Sequence, residues 1–387
     1  MFDFKITKQS KKSKARLGIL KTSHGEAHTP AFVPVATQGV VKTLEKDETI
    51  AAGSQLLIAN TFHLHLKPGE RVVAKQGGLH TFMQWPRPLM TDSAGFQVFS
   101  LGFGRDFGTG KILHSAHTAT VSKNQKPKNV RIYEDGVWFS SPLDGSKLFI
   151  GPKESIKIQQ QLGADIIFAF DECTSPIADY TYNKQAMERT HRWARVCLQT
   201  KKSKQALYGI VQGGKFRDLR EESACFIGGL PFDGFGIGGE FGDSKKTMTQ
   251  MLSWTITHLP PQKPRHLLGI GHLEDIIPII KEGTDTFDCI VPTHYARHGY
   301  AFIHQKSSNI QPDFKKIDIS KKVFLNDLKG LDPLCDCVVC KTYTRGYISH
   351  LMRAKEITAL RLLTFHNLYL FNSFVSSVRS LIQKGLL

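Results

Sequence analysis

Eight short apolar runs recur along the chain: AFVPVATQG from Ala31, QLLIAN from Gln55, PLMTDS from Pro88, DIIFAFDE from Asp165, ALYGIVQGG from Ala206, FGIGGE from Phe235, HLLGIG from His266 and FDCIVP from Phe287. Each ends in Gly or polar residues, and longer stretches with helical spacing separate several of them. PKESIKIQQQLG opens with Pro152 and acidic Glu154, which suit a first helical turn. NKQAMERTHRWARVCLQ is a second such helix. Buried strands alternating with helices predict an α/β fold, a closed (β/α)8 barrel, with an open doubly wound sheet as the competing arrangement.

The alternation breaks twice. Residues 102–151 are irregular, and YEDGVWFSSPLDGSKLF within them reads as a hairpin with Asp-Gly turns at Asp135–Gly136 and Asp144–Gly145. After the eighth run a basic segment leads through CDCVVC into a helical region over about Ser349 to Gln383, where Ile357, Leu360, Phe371, Phe374, Val378 and Leu381 recur at helical spacing. The expected organisation is a barrel over 1–305 carrying an insertion at 102–151, followed by a smaller unit over 306–387.

Charge adds a partner class. Fifty-one Lys and Arg against 34 Asp and Glu leave a net +17 over 387 residues, an excess that suits a polyanion, nucleic acid ahead of membrane. The basic residues gather at Lys5–Lys21, Lys123–Arg131 and Lys306–Lys329. No run of about 18 apolar residues is present to span a bilayer, and the charged start, MFDFKITKQSKKSKARLG, lacks a signal peptide's apolar block. A cytoplasmic, reducing setting is expected, with Cys173, Cys197, Cys225 and Cys289 as buried thiols.

A barrel gathers its functional groups at the C-terminal ends of its strands. The runs end at Asp92 and Ser93, at Asp171 and Glu172, at Gln212 and at Gly238 and Gly239, and the eighth carries Asp288. Converging carboxylates suit metal binding or glycosidic chemistry, in which one carboxylate attacks the anomeric carbon and another transfers a proton. An Asp, a Gln and a Gly-Gly backbone can together read guanine, the carboxylate accepting from N–H groups and the amides donating to the carbonyl. Spacing alone leaves both jobs open, and a polar residue at a strand end is also an ordinary turn or cap. Cys335, Cys337 and Cys340 are too compact for a disulfide framework in such a chain; three thiolates plus one histidine, His366 in preference to the nearer His350, make a closed structural zinc site.

TDSAGFQVFSLG, FDECTSP, GIVQGG, GIGGE, FDCIVPT and the CxCxxC with its distant His resemble the tRNA-guanine transglycosylases, as do ANTFHLHLKPGE, GGLHTFMQW and GLDPLCDC. The resemblance runs from about Leu17 to about Gln383. It implies an irregular (β/α)8 TIM-type barrel with a C-terminal zinc-binding subdomain, homodimeric in bacteria, that replaces the wobble guanine of tRNAs with GUN anticodons by a 7-deazaguanine base. On the matching positions it implies Asp288 as nucleophile, forming a covalent ribosyl-enzyme, and Asp92 as the proton carrier. Asp171, Gln212 and Gly239 would read the purine edge within a pocket that includes Ser93, Ala94 and Gly95, and Phe96 would stack on the base. RNA contacts would come from Gly269, Ile270, Gly271, His272, Leu273, Glu274 and Asp275, and from Thr293, His294, Tyr295, Ala296 and Arg297. The target nucleotide would have to leave its stack.

Three departures stand out. Ala94 replaces the first Gly of the family's TDSGGF, and THYARHG replaces TRNARNG. GGEFGDSK, with Glu240 and Phe241, stands where bacterial members read GGLAVGE. That loop borders the 7-substituent, so 7-aminomethyl-7-deazaguanine and queuine both remain open as the incoming base. The rival readings are a carboxylate-metal barrel hydrolase, which the lack of a His-rich set of strand ends disfavours, and a non-catalytic tRNA-binding subunit, which need not keep Asp288 and Asp92.

Overall fold

A computed structural model of the chain describes residues 2–99, 130–239, 244–305 and 313–387. Glu240 and Phe241, the first part of the 102–151 insertion and the start of the Lys306–Lys329 basic segment lie outside the described residues.

The chain opens with an antiparallel sheet of β1 (Asp3–Gln9), β2 (Arg16–Thr22) and β3 (Gly25–Thr29), which the charged sequence did not predict. Lys5 and Thr7 point outward while Phe4 and Ile6 are half-buried, so the alternation is a strand's, with charged and polar residues on its wet face. The first three runs are β4 (Ala31–Ala36), β5 (Leu57–Ala59) and β6 (Leu89–Thr91). Next come β7 (Val130–Ile132), β8 (Val137–Ser140) and β9 (Lys147–Ile150), an antiparallel meander whose two connections hold the Asp-Gly pairs. The remaining five runs are β10 (Ile166–Phe168), β11 (Ala206–Val211), β12 (Gly234–Ile237), β13 (Arg265–Leu267) and β14 (Thr286–Cys289). All eight runs pair in parallel and close into a barrel, β14 onto β4 and β10 onto β6. The closed form therefore holds over the open sheet.

The period of two decides what each barrel strand offers. Val33, Ile58, Met90, Ile166, Phe168, Tyr208 and Ile210 fill the interior, with Leu20, Ala27, Phe2 and Phe4 of the N-terminal sheet plugging its lower end. Their alternates Phe32, Leu57, Leu89, Ile167, Leu207 and Phe287 face the surrounding helices. Continuing the inward parity past the strand ends brings Asn60, Asp92, Gln212 and Gly238 to the upper mouth. Asp288 shares register with Val33 and so also points inward.

At the lower end a single device recurs. Asp165, Asp233 and Asp285 each sit one residue before a strand, and each accepts a backbone N–H from the preceding strand of the barrel: Leu89 at 3.0 Å, Leu207 at 2.8 Å and Arg265 at 2.8 Å. These carboxylates satisfy donors that a parallel ladder leaves open at its start. Asp285 also pairs bidentately with buried Arg16 of β2, at 2.8 and 2.6 Å, tying the plug to the barrel.

Beyond β14, a short helix Val291–Arg297 leads into β15 (Tyr300–Gln305), which pairs with β16 (Asp313–Asp318) across the expected 305/306 division. The C-terminal helical region is two helices, Arg345–Arg353 and Ile357–Gln383, rather than one. The break falls at Lys355, whose φ of 59° is left-handed. Phe371 of the long helix packs on Phe32 of β4 at 5.4 Å and on Phe302 of β15 at 5.6 Å, seating that helix against the barrel. Among the described residues no helix is long and apolar enough to cross a membrane.

Candidate active site

The upper mouth is a cavity of about 490 Å³, lined among others by Asn60, Asp92, Ser93, Phe96, Asp171, Gln212, Gly239, Gly269 and Asp288. Among the described residues that line it none is Lys or Arg. Asp92 leaves β6 directly into this space. Its carboxylate accepts from Asn60 Nδ2 at 2.6 Å, Thr61 N at 2.9 Å, Ala94 N at 3.1 Å and Gln97 Nε2 at 3.1 Å. Burial nevertheless pushes its pKa up to about 7, with the charge of Asp288 acting the same way and the N–H groups of Thr61 and Ala94 acting against it. Such a group gives and takes a proton near neutral pH.

Asp171 and Gln212 form a second set. Ser93 Oγ donates to Asp171 Oδ1 at 2.7 Å and Gln212 Nε2 donates to Asp171 Oδ2 at 2.7 Å, while Gln212 Oε1 is buried with no hydrogen-bond partner among the described residues. A buried amide oxygen so placed is satisfied when a ligand supplies an N–H. Gly239 closes over this amide with φ 89°; a Cβ there would lie 2.7 Å from Gln212 Oε1. Buried Arg220 bonds the carbonyls of Gly214 at 2.7 Å and Gly238 at 3.1 Å, holding the Gly-Gly turn in place. Gly95 is needed for close approach, since a Cβ would meet the Asp171 carbonyl at 2.5 Å. Ala94 itself takes φ 69°, a left-handed position where Gly is the easier residue. Phe96, 42% exposed, stands over the cavity and offers a stacking face.

On the opposite wall, Gly269 N donates to Asp288 Oδ1 at 2.9 Å and His266 Nε2 lies 3.1 Å from the same oxygen. Neither His266 nor Asn60 was singled out from sequence, although QLLIAN ends a strand just as PLMTDS does. Glu172, the other acid ending the fourth run, turns away from the cavity. It is buried against Arg189 and accepts from Tyr182 Oη at 2.7 Å, which makes it a structural ion pair.

The expected RNA-contacting residues divide. Gly269, Ile270, Gly271, His272 and Asp275 line the cavity, whereas Leu273, Glu274 and Tyr295 line a neighbouring groove. Thr293 and Ala296 are buried, and His294 and Arg297 are partly exposed. The pKa of His294 is lowered by burial and by nearby His298, Arg297 and Lys42, so cations crowd this corner.

Two groups of potential metal ligands occur among the described residues. Cys335, Cys337, Cys340 and His366 converge, with His366 Nδ1 3.6 Å from Cys337 Sγ and 3.2 Å from Cys340 Sγ. A tetrahedral zinc would separate N and S ligands by about 3.5 Å. His366 Nε2 bonds the Phe302 carbonyl at 2.7 Å, fixing the tautomer that turns Nδ1 toward the sulfurs. His350 is not part of the group. The second group, His24, His80 and Asp165, is unlike a metal site: its rings stack 3.5 Å apart at 15°, so their in-plane lone pairs run side by side instead of converging. Of the remaining thiols Cys173, Cys197 and Cys289 are buried, but Cys225 is exposed on the outer face of helix Arg217–Gly228, contrary to expectation.

A parallel barrel whose mouth gathers carboxylates and a buried amide around one cavity suits an enzyme acting on a glycosidic bond. The family model described as queuine tRNA-ribosyltransferase matches residues 10–387. Curated proteins named queuine tRNA-ribosyltransferase are similar throughout. That of Halothermothrix orenii is 42% identical over 99% of this chain and 94% of its own length, that of Natranaerobius thermophilus 42% over 98% and 94%, and that of Herpetosiphon aurantiacus 44% over 95% and 86%. The chain belongs to the queuine tRNA-ribosyltransferase family and is a pentosyltransferase. That membership supports tRNA guanine transglycosylation in queuosine modification and disfavours the metal-hydrolase rival.

Proposed function

We propose that this enzyme exchanges the wobble guanine of tRNAs with GUN anticodons for a 7-deazaguanine base by double displacement. The observation that carries the reading is the convergence of Asp92, Asp288 and the Asp171–Gln212 pair on one cavity. Asp288 attacks the ribose anomeric carbon while Asp92, protonated near neutral pH, protonates the departing guanine. Asp92 then removes a proton from the incoming base, which attacks the same carbon and restores Asp288. Asp171 accepts from the purine's N–H groups, Gly239 and Gln212 complete the edge, and Phe96 stacks on the face. The lack of Lys or Arg among the described lining residues disfavours a free anion as the bound base.

The cations lie elsewhere, and the net +17 supports a polyanionic substrate whose binding weakens with salt. The decisive experiment is base exchange on guanine-labelled tRNA, offering 7-aminomethyl-7-deazaguanine and queuine separately. Label release with one of them confirms the reaction and identifies the base; no release with either sinks the reading. For the Cys335, Cys337, Cys340 and His366 group we propose structural zinc, since four protein ligands leave no open position. Elemental analysis should give about one zinc per chain, and its absence from protein purified without chelator refutes this.

A further inference from the structure

His266 is fully buried in β13, directly across from Thr286 of β14, and reaches diagonally to Asp288 on the same inward face. Its Nδ1 lies 2.9 Å from Thr286 Oγ1 and its Nε2 3.1 Å from Asp288 Oδ1. A carboxylate oxygen only accepts, so Nε2 carries the hydrogen, and in the neutral ring Nδ1 accepts from the threonine hydroxyl. The ring is packed on Phe168, centroids 5.4 Å apart, which fixes its plane. A core histidine needs none of this alignment.

We propose that His266, oriented by Thr286, is a positioning residue for the nucleophile. The inference rests on reading Asp288 as that nucleophile. Both His266 Nε2–H and Gly269 N–H donate to Oδ1, which holds the carboxylate in one orientation toward the cavity. In the first displacement the bond between an Asp288 carboxylate oxygen and C1′ forms, and the C1′–N bond breaks with its electron pair leaving on guanine, protonated by Asp92. In the second, the incoming nitrogen forms its bond to C1′ as Asp92 takes its proton, and the electron pair of the ester O–C1′ bond returns to the carboxylate. The charge restored there is shared with Oδ1, where two donors already wait.

The test is a comparison of His266→Phe, His266→Gln and Thr286→Val in the full chain, with Asp288→Asn as control. His266→Phe removes a donor to a charged oxygen, and kcat should fall about ten- to hundredfold with KM for tRNA within about twofold. The trapped adduct should also decay more slowly when base is added. His266→Gln, which returns an N–H to about the same place, should recover most of the rate. Thr286→Val, nearly isosteric, should lower kcat a few-fold by freeing the tautomer. Wild-type kcat in His266→Phe, or a His266→Gln as slow as His266→Phe with both melting like the wild type, overturns the proposal. If His266→Phe does not fold, wild-type kcat in Thr286→Val overturns it instead. An adduct trapped with Asp288→Asn would defeat the underlying reading, a distinct result.

Discussion

The two ends of the barrel use the same residue type in opposite ways. At the lower end Asp165 accepts from Ser23 Oγ at 2.9 Å, from His24 Nδ1 at 2.7 Å and from the Leu89 N–H, with His80 Nε2 3.1 Å away. Burial alone would raise its pKa, but His80 and His24 hold it down at about 2. Asp285 is closed off with Arg16. At the mouth Asp92 has neutral donors and a second carboxylate for company, and rises to about 7. Burial is common to both ends; the partners differ. A carboxylate given a cation becomes part of the scaffold, and one denied a cation becomes a reagent.

That contrast can be broken residue by residue. Asp288→Ala should abolish the covalent RNA adduct while leaving tRNA binding largely intact, and Asp92→Asn should slow exchange by about 10²–10⁴. Both should melt close to the wild type; a collapse of the fold in either would erase the distinction between the ends. Asp285→Ala should do the reverse. It strands the buried Arg16 guanidinium and should cost about 3–5 kcal/mol in urea unfolding. Turnover per folded molecule should stay within about twofold.

The pH responses should separate as well, with a smaller effect. Asp92 must be protonated to release guanine, so single-turnover adduct formation should fall about tenfold per pH unit above about 7. Asp165 is depressed, so its stabilising contribution is complete above the ordinary carboxylate pKa of 3.8 and is lost as pH falls from about 4 toward 2. Stability measured across that acid window should therefore decline, and should decline less in Asp165→Asn. An activity limb displaced to pH 4 would assign the proton to an ordinary exposed carboxylate instead.

Much of this was legible in the chain, and the reasons are local. Eight apolar runs became eight barrel strands because strands buried on both faces must be continuously apolar. CDCVVC places three sulfurs within reach of one ion by chain geometry alone. The N-terminal sheet was missed because its outward residues are charged and its inward ones few. The break at Lys355 was missed because the apolar positions that marked the helical region all lie at or beyond Ile357 and say nothing of the backbone before it. Asn60 could have been found by the strand-end rule applied to QLLIAN, whereas His266 could not, since a lone histidine inside an apolar run looks like core.

The sequence by itself determined which groups exist and on which parity they sit: Asp92, Asp288 and Gln212 were bound to face inward once their strands paired. Tertiary structure alone decided what each group is. Asp92 owes its proton to burial and to the charge of Asp288, which together outweigh the donors of Thr61, Ala94 and Gln97, and Asp165 owes its charge to His24 and His80, residues 141 and 85 positions away. An electrostatic field sums over neighbours in space, and those neighbours are set by closure of the barrel, which no short stretch of the chain contains.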